Sequence, residues 1–149
     1  MISVKIDDTE VKGALSRLSS MIDDLTPVMR EITGVLADAA EDQFAAEGKP
    51  QWQELAQRTI DARTRKKTWP GRILQVSGSL AASITTRATR TTAAIGSNKV
   101  YAAIQQLGGQ AGRGRRVTIP ARPYLVFGSG EREETMDILQ RHTARALRS

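Results

Sequence analysis

Apolar positions recur with two different periods along this chain, and the changes of period mark its elements. Val4 and Ile6 alternate with polar neighbours and predict a short strand over residues 3–6. The period then lengthens. Val11, Ala14, Leu15, Leu18 and Ile22 fall at helical spacing behind Asp7, Asp8 and Thr9, residues with helix-capping chemistry. Thr26 and Pro27 form a second start signal, cap followed by first-turn proline. Val28, Ile32, Val35, Leu36, Ala39 and Phe44 share one face of the second helix, and Gly48-Lys49-Pro50 ends it. The link over residues 23–26 is short, which predicts an antiparallel helical hairpin.

Beyond Pro50 the pattern is broken into shorter pieces. Trp52 and Leu55 are expected to clip a loop onto the helices, with Trp52 as a core anchor, because indole rings mostly pack. Residues 59–68 predict a basic helix near Arg58, with Arg63, Arg65, Lys66 and Lys67. Only Ile60 and Ala62 in it are apolar, so most of it should face solvent. Trp69-Pro70-Gly71 breaks it. A helical turn from Ser79 leads into a threonine-rich strand over residues 84–91, and residues 93–96 supply a second strand and a hairpin. Residues 101–107 predict a short helix closed by Gly108-Gly109. The last helix starts at Ser129 or Gly130. Glu131, Glu133 and Glu134 lie near its start and Arg141, Arg145 and Arg148 near its end, as its dipole favours; Met136, Leu139, Thr143, Ala146 and Leu147 form its packing stripe. The expected fold class is α+β: an N-terminal helical hairpin on a small, mainly antiparallel sheet, with a C-terminal helix. No internal repeat or second domain is visible in residues 1–149.

Residues 113–125, RGRRVTIPARPYL, stand apart from this periodic pattern. Gly108, Gly109, Gly112 and Gly114 predict a mobile loop, and Arg113, Arg115 and Arg116 make it basic. Val117-Thr118-Ile119 suits a strand, while Pro120 and Pro123 stiffen the segment up to Leu125. A flexible basic tip on a rigid base is expected. Two roles fit the rigid part. The prolines could hold a corner that buries Tyr124 and Leu125, or Arg122 and Tyr124 could face a neighbouring subunit, with Arg122 paired to an acidic residue of the first helices.

Composition narrows the classes. A 149-residue chain with 40% hydrophobic residues can bury a core, though with 4% aromatics the core must be mainly aliphatic. Absence of cysteine excludes disulfides and thiolate metal sites. No apolar run approaches the roughly 20 residues that span a bilayer, and the acidic N-terminus is unlike a signal peptide, so cytoplasmic synthesis without membrane contact is expected. The formal charge of +6 points to nucleic acid or an acidic protein surface as partner. It is unevenly placed: residues 1–47 lean acidic, and the basic excess lies around residues 58–72 and 113–122. No catalytic constellation is found. His142 is the sole histidine and has no ligand set or triad partners around it in the sequence. The glycine-rich stretch lacks the GxxxxGK[ST] phosphate-loop pattern. The expectation is a protein that is not an enzyme and carries no cofactor or metal.

Four clusters resemble the phage virion morphogenesis family, which includes tail completion proteins of Mu-like and P2-like phages. They are Pro50-Gln51-Trp52-Gln53-Glu54-Leu55; Leu74-Gln75-Val76-Ser77-Gly78-Ser79-Leu80-Ala81-Ala82-Ser83-Ile84; Ile95-Gly96-Ser97 with Tyr101-Ala102-Ala103-Ile104-Gln105-Gln106-Leu107-Gly108-Gly109; and Ile119-Pro120-Ala121-Arg122-Pro123-Tyr124-Leu125. Together they cover about half the chain in a compatible order. Where relatives often carry a histidine-glutamine pair after the Tyr-Ala, this chain has Gln105-Gln106, so a role tied to that histidine does not transfer. The resemblance implies a small α+β structural protein acting late in virion assembly, at the head-proximal tail end or neck. It implies a homo-oligomeric, six-fold ring around the DNA passage, in contact with other tail and head–tail connector proteins. In such a ring Arg113, Arg115 and Arg116 would touch phage DNA without sequence preference, or a partner protein. A small nucleic-acid-binding module is the alternative class. Net charge favours it, and the lack of a helix-turn-helix, zinc site or RNA-binding aromatic pair counts against it.

Overall fold

A 21-residue helix is the spine on which the other elements are arranged. The computed structural model describes residues 3–5 and 7–148. In chain order these form α1 (Thr9–Asp23), α2 (Thr26–Ala46), α3 (Gln57–Arg65), α4 (Ser79–Ala82), β1 (Ile84–Ala88), β2 (Ala93–Ser97), α5 (Ala102–Leu107), β3 (Gly109–Ala111), β4 (Val117–Ile119) and α6 (Ser129–Arg148). The fold is α+β, as the periodicities predict. Each sheet is a two-stranded antiparallel hairpin: β1 pairs with β2, with Ile84 opposite Ser97 and Ala88 opposite Ala93; β3 pairs with β4, with Gly109 opposite Ile119 and Ala111 opposite Val117.

The spine is α2, and its length follows from its apolar spacing. Val28 and Ile32 bury against Ile138 of α6, with Met29, Val35 and Leu139 beside them. One turn and more further on, Ala39, Ala40 and Phe44 are buried, and Phe44 enters the second core. The helix stops because Glu47 takes a left-handed conformation, φ 55°, and Gly48 comes next at φ 98°. A Cβ on Gly48 would lie 2.5 Å from Trp52 Cδ1, so only glycine lets the indole close over the helix end. At the other terminus of the fold, α6 begins with Gly128 N–H donating to Glu131 Oε2 at 2.6 Å, one half of a capping box.

The main partner of α1 is α6, which also lies against α2, so α6 joins the two N-terminal helices. Arg17 of α1 donates from Nε to the Ala146 carbonyl at 2.9 Å and from Nη2 to the Leu147 carbonyl at 3.2 Å. These are carbonyls of the last turn of α6, which no further helical amide can satisfy. The predicted core face of α1 is largely uncovered: Val11, Leu15 and Ile22 are 59%, 57% and 58% exposed. No α1 residue is fully buried. Helical spacing specifies that a stripe exists; it does not specify that this chain covers it. Residues 3–5 are not in a strand, and Ile6, the other member of the predicted strand pair, lies outside the described residues.

The basic stretch also differs from its expected form. Residues 109–111, read as loop, are a strand. The amides and carbonyls of the predicted strand Val117–Ile119 need partners, and β3 supplies them. A single 3-10 turn, Arg113–Arg115, reverses the chain, with Gly112, Gly114 and Arg115 all at positive φ. The tip of the hairpin is this turn.

Candidate functional site

Three of the sequence clusters meet at Tyr124, which is 1% exposed. Its ring stacks at a tilt on Phe44, centroids 5.2 Å apart, and Phe44 meets Trp52 edge-on at 6.0 Å. The Tyr124 hydroxyl donates to the Ala102 carbonyl at 2.8 Å, and burial pushes this hydroxyl's pKa up. Trp52 Nε1 donates to the Pro123 carbonyl at 2.8 Å. Gln106 acts as an internal clamp. Its Oε1 accepts from the amides of Tyr124 and Leu125, each at 2.9 Å, and its Nε2 donates to the Leu125 carbonyl at 2.9 Å. A segment stiffened by Pro120 and Pro123 cannot use a regular ladder, and one glutamine amide replaces it.

Arg122 lies at the edge of this node and is 5% exposed. Its Nε donates to the Gln53 carbonyl at 2.9 Å and its Nη2 to the Glu54 carbonyl at 3.0 Å, while its amide donates to the Gln105 carbonyl at 2.7 Å. Of the two roles open for residues 119–125, the geometry supports the buried corner. Arg122 and Tyr124 are enclosed by their own chain, and within it the Arg122 guanidinium donates to two loop carbonyls. A subunit contact through these two side chains would need them at the surface.

A cleft of roughly 510 Å³ opens beside this node, between the loop before α3, the segment at Ile73-Leu74 and the β4 strand. Arg63 and Arg122 both line it. Arg63, expected on a solvent face, turns inward and donates to the carbonyls of Arg72 at 3.0 Å and Ile73 at 2.6 Å. Burial lowers the pKa of both guanidinium groups; for Arg122 the charge of Arg63 adds to the effect, whereas Glu47 partly offsets it for Arg63. Neither arginine forms an ion pair among the described residues. Gln105 Oε1, also at the cleft, is buried with no hydrogen-bond partner among the described residues.

Arg113, Arg115 and Arg116 are exposed at the turn of the β3–β4 hairpin, away from the Tyr124 node. The hairpin is held at its base by Gly108, φ 72°, where a Cβ would lie 2.7 Å from the Ala121 amide nitrogen. Sequence reasoning thus located the exposed cations, and it missed Gln106, Arg63 and Arg17, whose partners are backbone carbonyls or amides elsewhere in the chain. Glutamine at 106 has no sequence signal beyond its place in the Tyr-Ala cluster. His142, the sole histidine, ties α6 to α2 through Glu31 Oε1 at 2.7 Å, beside the Arg141–Glu31 pair at 3.0 Å. Among the described residues no three histidine, aspartate or glutamate side chains are grouped as a metal would require, and no helix is long and apolar enough to cross a membrane.

The profile of the phage virion morphogenesis family matches residues 6–144. The Mu-like prophage FluMu G protein 2 of Haemophilus influenzae is 36% identical over 141 residues, covering 94% of this chain and 94% of the relative. The protein of Escherichia phage Mu named as capsid assembly protein G is 31% identical over a 152-residue alignment, covering 99% and 97%. No solved structure matches the chain.

Proposed function

The chain belongs to the phage virion morphogenesis family, and on that premise we propose that it completes the head-proximal end of a phage tail and stabilises the head–tail joint. Its role in virion assembly is structural. It acts as a subunit of a homo-oligomeric ring around the DNA passage, six-fold in the form the family resemblance implies. Its other partners are tail and connector proteins. The observation that carries this reading is the family match along nearly the whole chain, residues 6–144. The internal use of the family's motif residues is consistent with it. Trp52, Gln106 and Tyr124 serve to hold a scaffold, so the surface is left for contacts with other proteins and with DNA.

Within that role the three exposed arginines of the hairpin tip are the DNA- or partner-facing group. Phosphate neutralisation by such residues is sequence-independent, as a passage for a whole genome requires. The test is complementation of a phage that lacks the gene. Without the protein, electron microscopy of lysates should show separate heads and tails. Wild-type protein should restore joined particles, and a triple Arg113→Ser, Arg115→Ser, Arg116→Ser variant should remain folded but lower virion yield at least tenfold. Joined, infectious particles at normal yield in the absence of the protein would refute the head–tail role. Normal yield from the triple variant would refute the role of the tip.

A further inference from the structure

One strand edge and one strand-like segment of this chain each lack a partner. The edge belongs to β4. On one side β4 pairs with β3, and among the described residues no other backbone hydrogen bond reaches Val117–Ile119. In an antiparallel ladder every second residue turns its N–H and C=O away from the partner strand, so the far side of β4 presents unpaired groups. Val117, Thr118 and Ile119 also border the cleft beside the Tyr124 node, which leaves room next to the strand. Gln105 Oε1, on the same cleft, is a buried acceptor without a donor among the described residues. Both features call for hydrogen-bonding groups that this copy does not supply.

The segment is Ser3-Val4-Lys5. The sequence pattern there is that of a strand, yet all three residues are exposed and outside any strand, and Val4 is 82% exposed. Its position favours a partner in another copy. Leu25, just after α1, packs in the cluster of Ile138, and Arg17 bonds the carbonyls of Ala146 and Leu147, so α1 runs antiparallel to α6 and starts beyond its C-terminal end. β4 leads through residues 120–128 into the opposite end of α6. The charges beside the two elements are complementary. Asp7 and Asp8 follow the segment, both exposed. Asp7 uses Oδ1 to accept from Thr9, which leaves Oδ2, and the Asp8–Lys12 pair at 3.0 Å is exposed and so contributes little. Immediately before β4 stand Arg115 and Arg116, exposed and in no ion pair among the described residues.

We propose that Ser3-Val4-Lys5 of one copy adds as an antiparallel strand to the open edge of β4 in a second copy. Setting Val4 opposite Ile119 pairs the apolar side chains. It places Lys5 opposite Thr118 and brings Asp7 and Asp8 level with Arg116 and Arg115. A parallel strand would carry the two carboxylates past Ile119 to Pro120, away from the basic tip, so charge selects the antiparallel sense. The contact joins two different faces and is head-to-tail; each added copy leaves one segment and one edge free until the chain of copies closes on itself. The inference rests on the reading of the protein as a homo-oligomeric subunit, and it identifies the partner of two of the three tip arginines as the next copy.

Because the chain has no cysteine, the pairing can be tested by disulfide formation. Lys5→Cys and Thr118→Cys stand opposite each other in the proposed register, and both positions are exposed, so folding should survive, which circular dichroism checks. Under mild oxidation an equimolar mixture of the two single variants should give a covalent heterodimer well above the yield of either variant alone. The double variant should give a ladder of multimers. Val4→Pro removes a strand N–H at an exposed position and should weaken association at least tenfold by sedimentation. Arg115→Glu with Arg116→Glu should do the same, and raising salt should weaken the wild-type contact. A double variant that closes a disulfide within one chain overturns the assignment to a second copy. An oligomer by native mass spectrometry that Val4→Pro leaves intact, and whose mixed variants do not cross-link, overturns the strand pairing and leaves the assembling role standing. So does a charge-reversed tip that loses DNA binding with association unchanged. A wild-type protein that stays monomeric at all concentrations, including with its virion partners, overturns both.

Discussion

Replacing Arg122 by alanine should destabilise the subunit itself. The side chain is buried and donates from two nitrogens to the Gln53 and Glu54 carbonyls. Hydrogen bonds with an ionised donor contribute about 1.5–3 kcal/mol each, and alanine leaves both acceptors without a partner. Against this, the variant no longer buries a charge whose desolvation already depresses its pKa. The net cost should be about 2–4 kcal/mol, as the two hydrogen bonds outweigh the relieved desolvation. With a urea slope of about 2 kcal/mol/M, the middle of the range for a small domain, the unfolding midpoint should fall by about 1–2 M. Trp52 sits one residue from the Gln53 carbonyl, so tryptophan fluorescence reports the transition where the change is made. Arg122→Lys should recover little, since its single nitrogen cannot occupy both the Nε and the Nη2 positions from which the two bonds are made. Arg122→Met keeps volume but not the donors and should resemble alanine within about 1 kcal/mol. An unchanged midpoint for Arg122→Ala, together with loss of oligomerisation, would refute the reasoning and return Arg122 to a subunit interface.

Three further outcomes are expected. Tyr124→Phe removes the hydroxyl that donates to Ala102 and should cost about 1–2 kcal/mol in urea unfolding without altering the far-ultraviolet spectrum. Gly108→Ala places a Cβ 2.7 Å from the Ala121 nitrogen at a φ of 72°, and should cost about 2 kcal/mol or more, read as a fall in thermal midpoint. The hydrogen bond from His142, with a smaller one from Arg141, holds the Glu31 carboxyl below its ordinary pKa. A carboxyl depressed in the folded state contributes stability that is present above the ordinary glutamate range and lost as pH falls below it. The stability difference between wild type and Glu31→Gln should therefore shrink on acidification, from no more than about 1 kcal/mol, since the pair is partly exposed. A difference that grows on acidification would contradict the sign.

Legibility in the sequence tracks how local the cause is. The extent of α2 is set by Pro27 in its first turn at one end, with Leu25 rather than Thr26 in the cap position and no side-chain cap bond, and by Gly48 at the other, and the β1–β2 hairpin by a threonine-rich run meeting Ala93–Ser97. The basic tip was legible as charge and glycine. Its pairing was not, because β3 has little strand propensity of its own and becomes a strand only as the partner of β4. Arg63 looked like a solvated cation on a polar helix; the carbonyls that draw it inward belong to Arg72 and Ile73, beyond the break at Trp69-Pro70-Gly71. Gln106 carried no charge pattern to mark it, and its clamp on Tyr124 and Leu125 depends on the proline segment lying alongside α5.

By itself the sequence determined the α+β class, the helical spine, the exposed arginines of the tip, and the clusters by which the family is recognised. Spacing, caps and glycine positions act over a few residues, and the chain carries them wherever it folds. Only the tertiary structure decided that Tyr124 and Arg122 are internal, that Arg17 closes α6, and that the apolar stripe of α1 is left open beside an acid-rich end. Each of these depends on which distant carbonyl, ring or helix face arrives to satisfy a buried donor or cover an apolar surface, and no local pattern encodes the arrival.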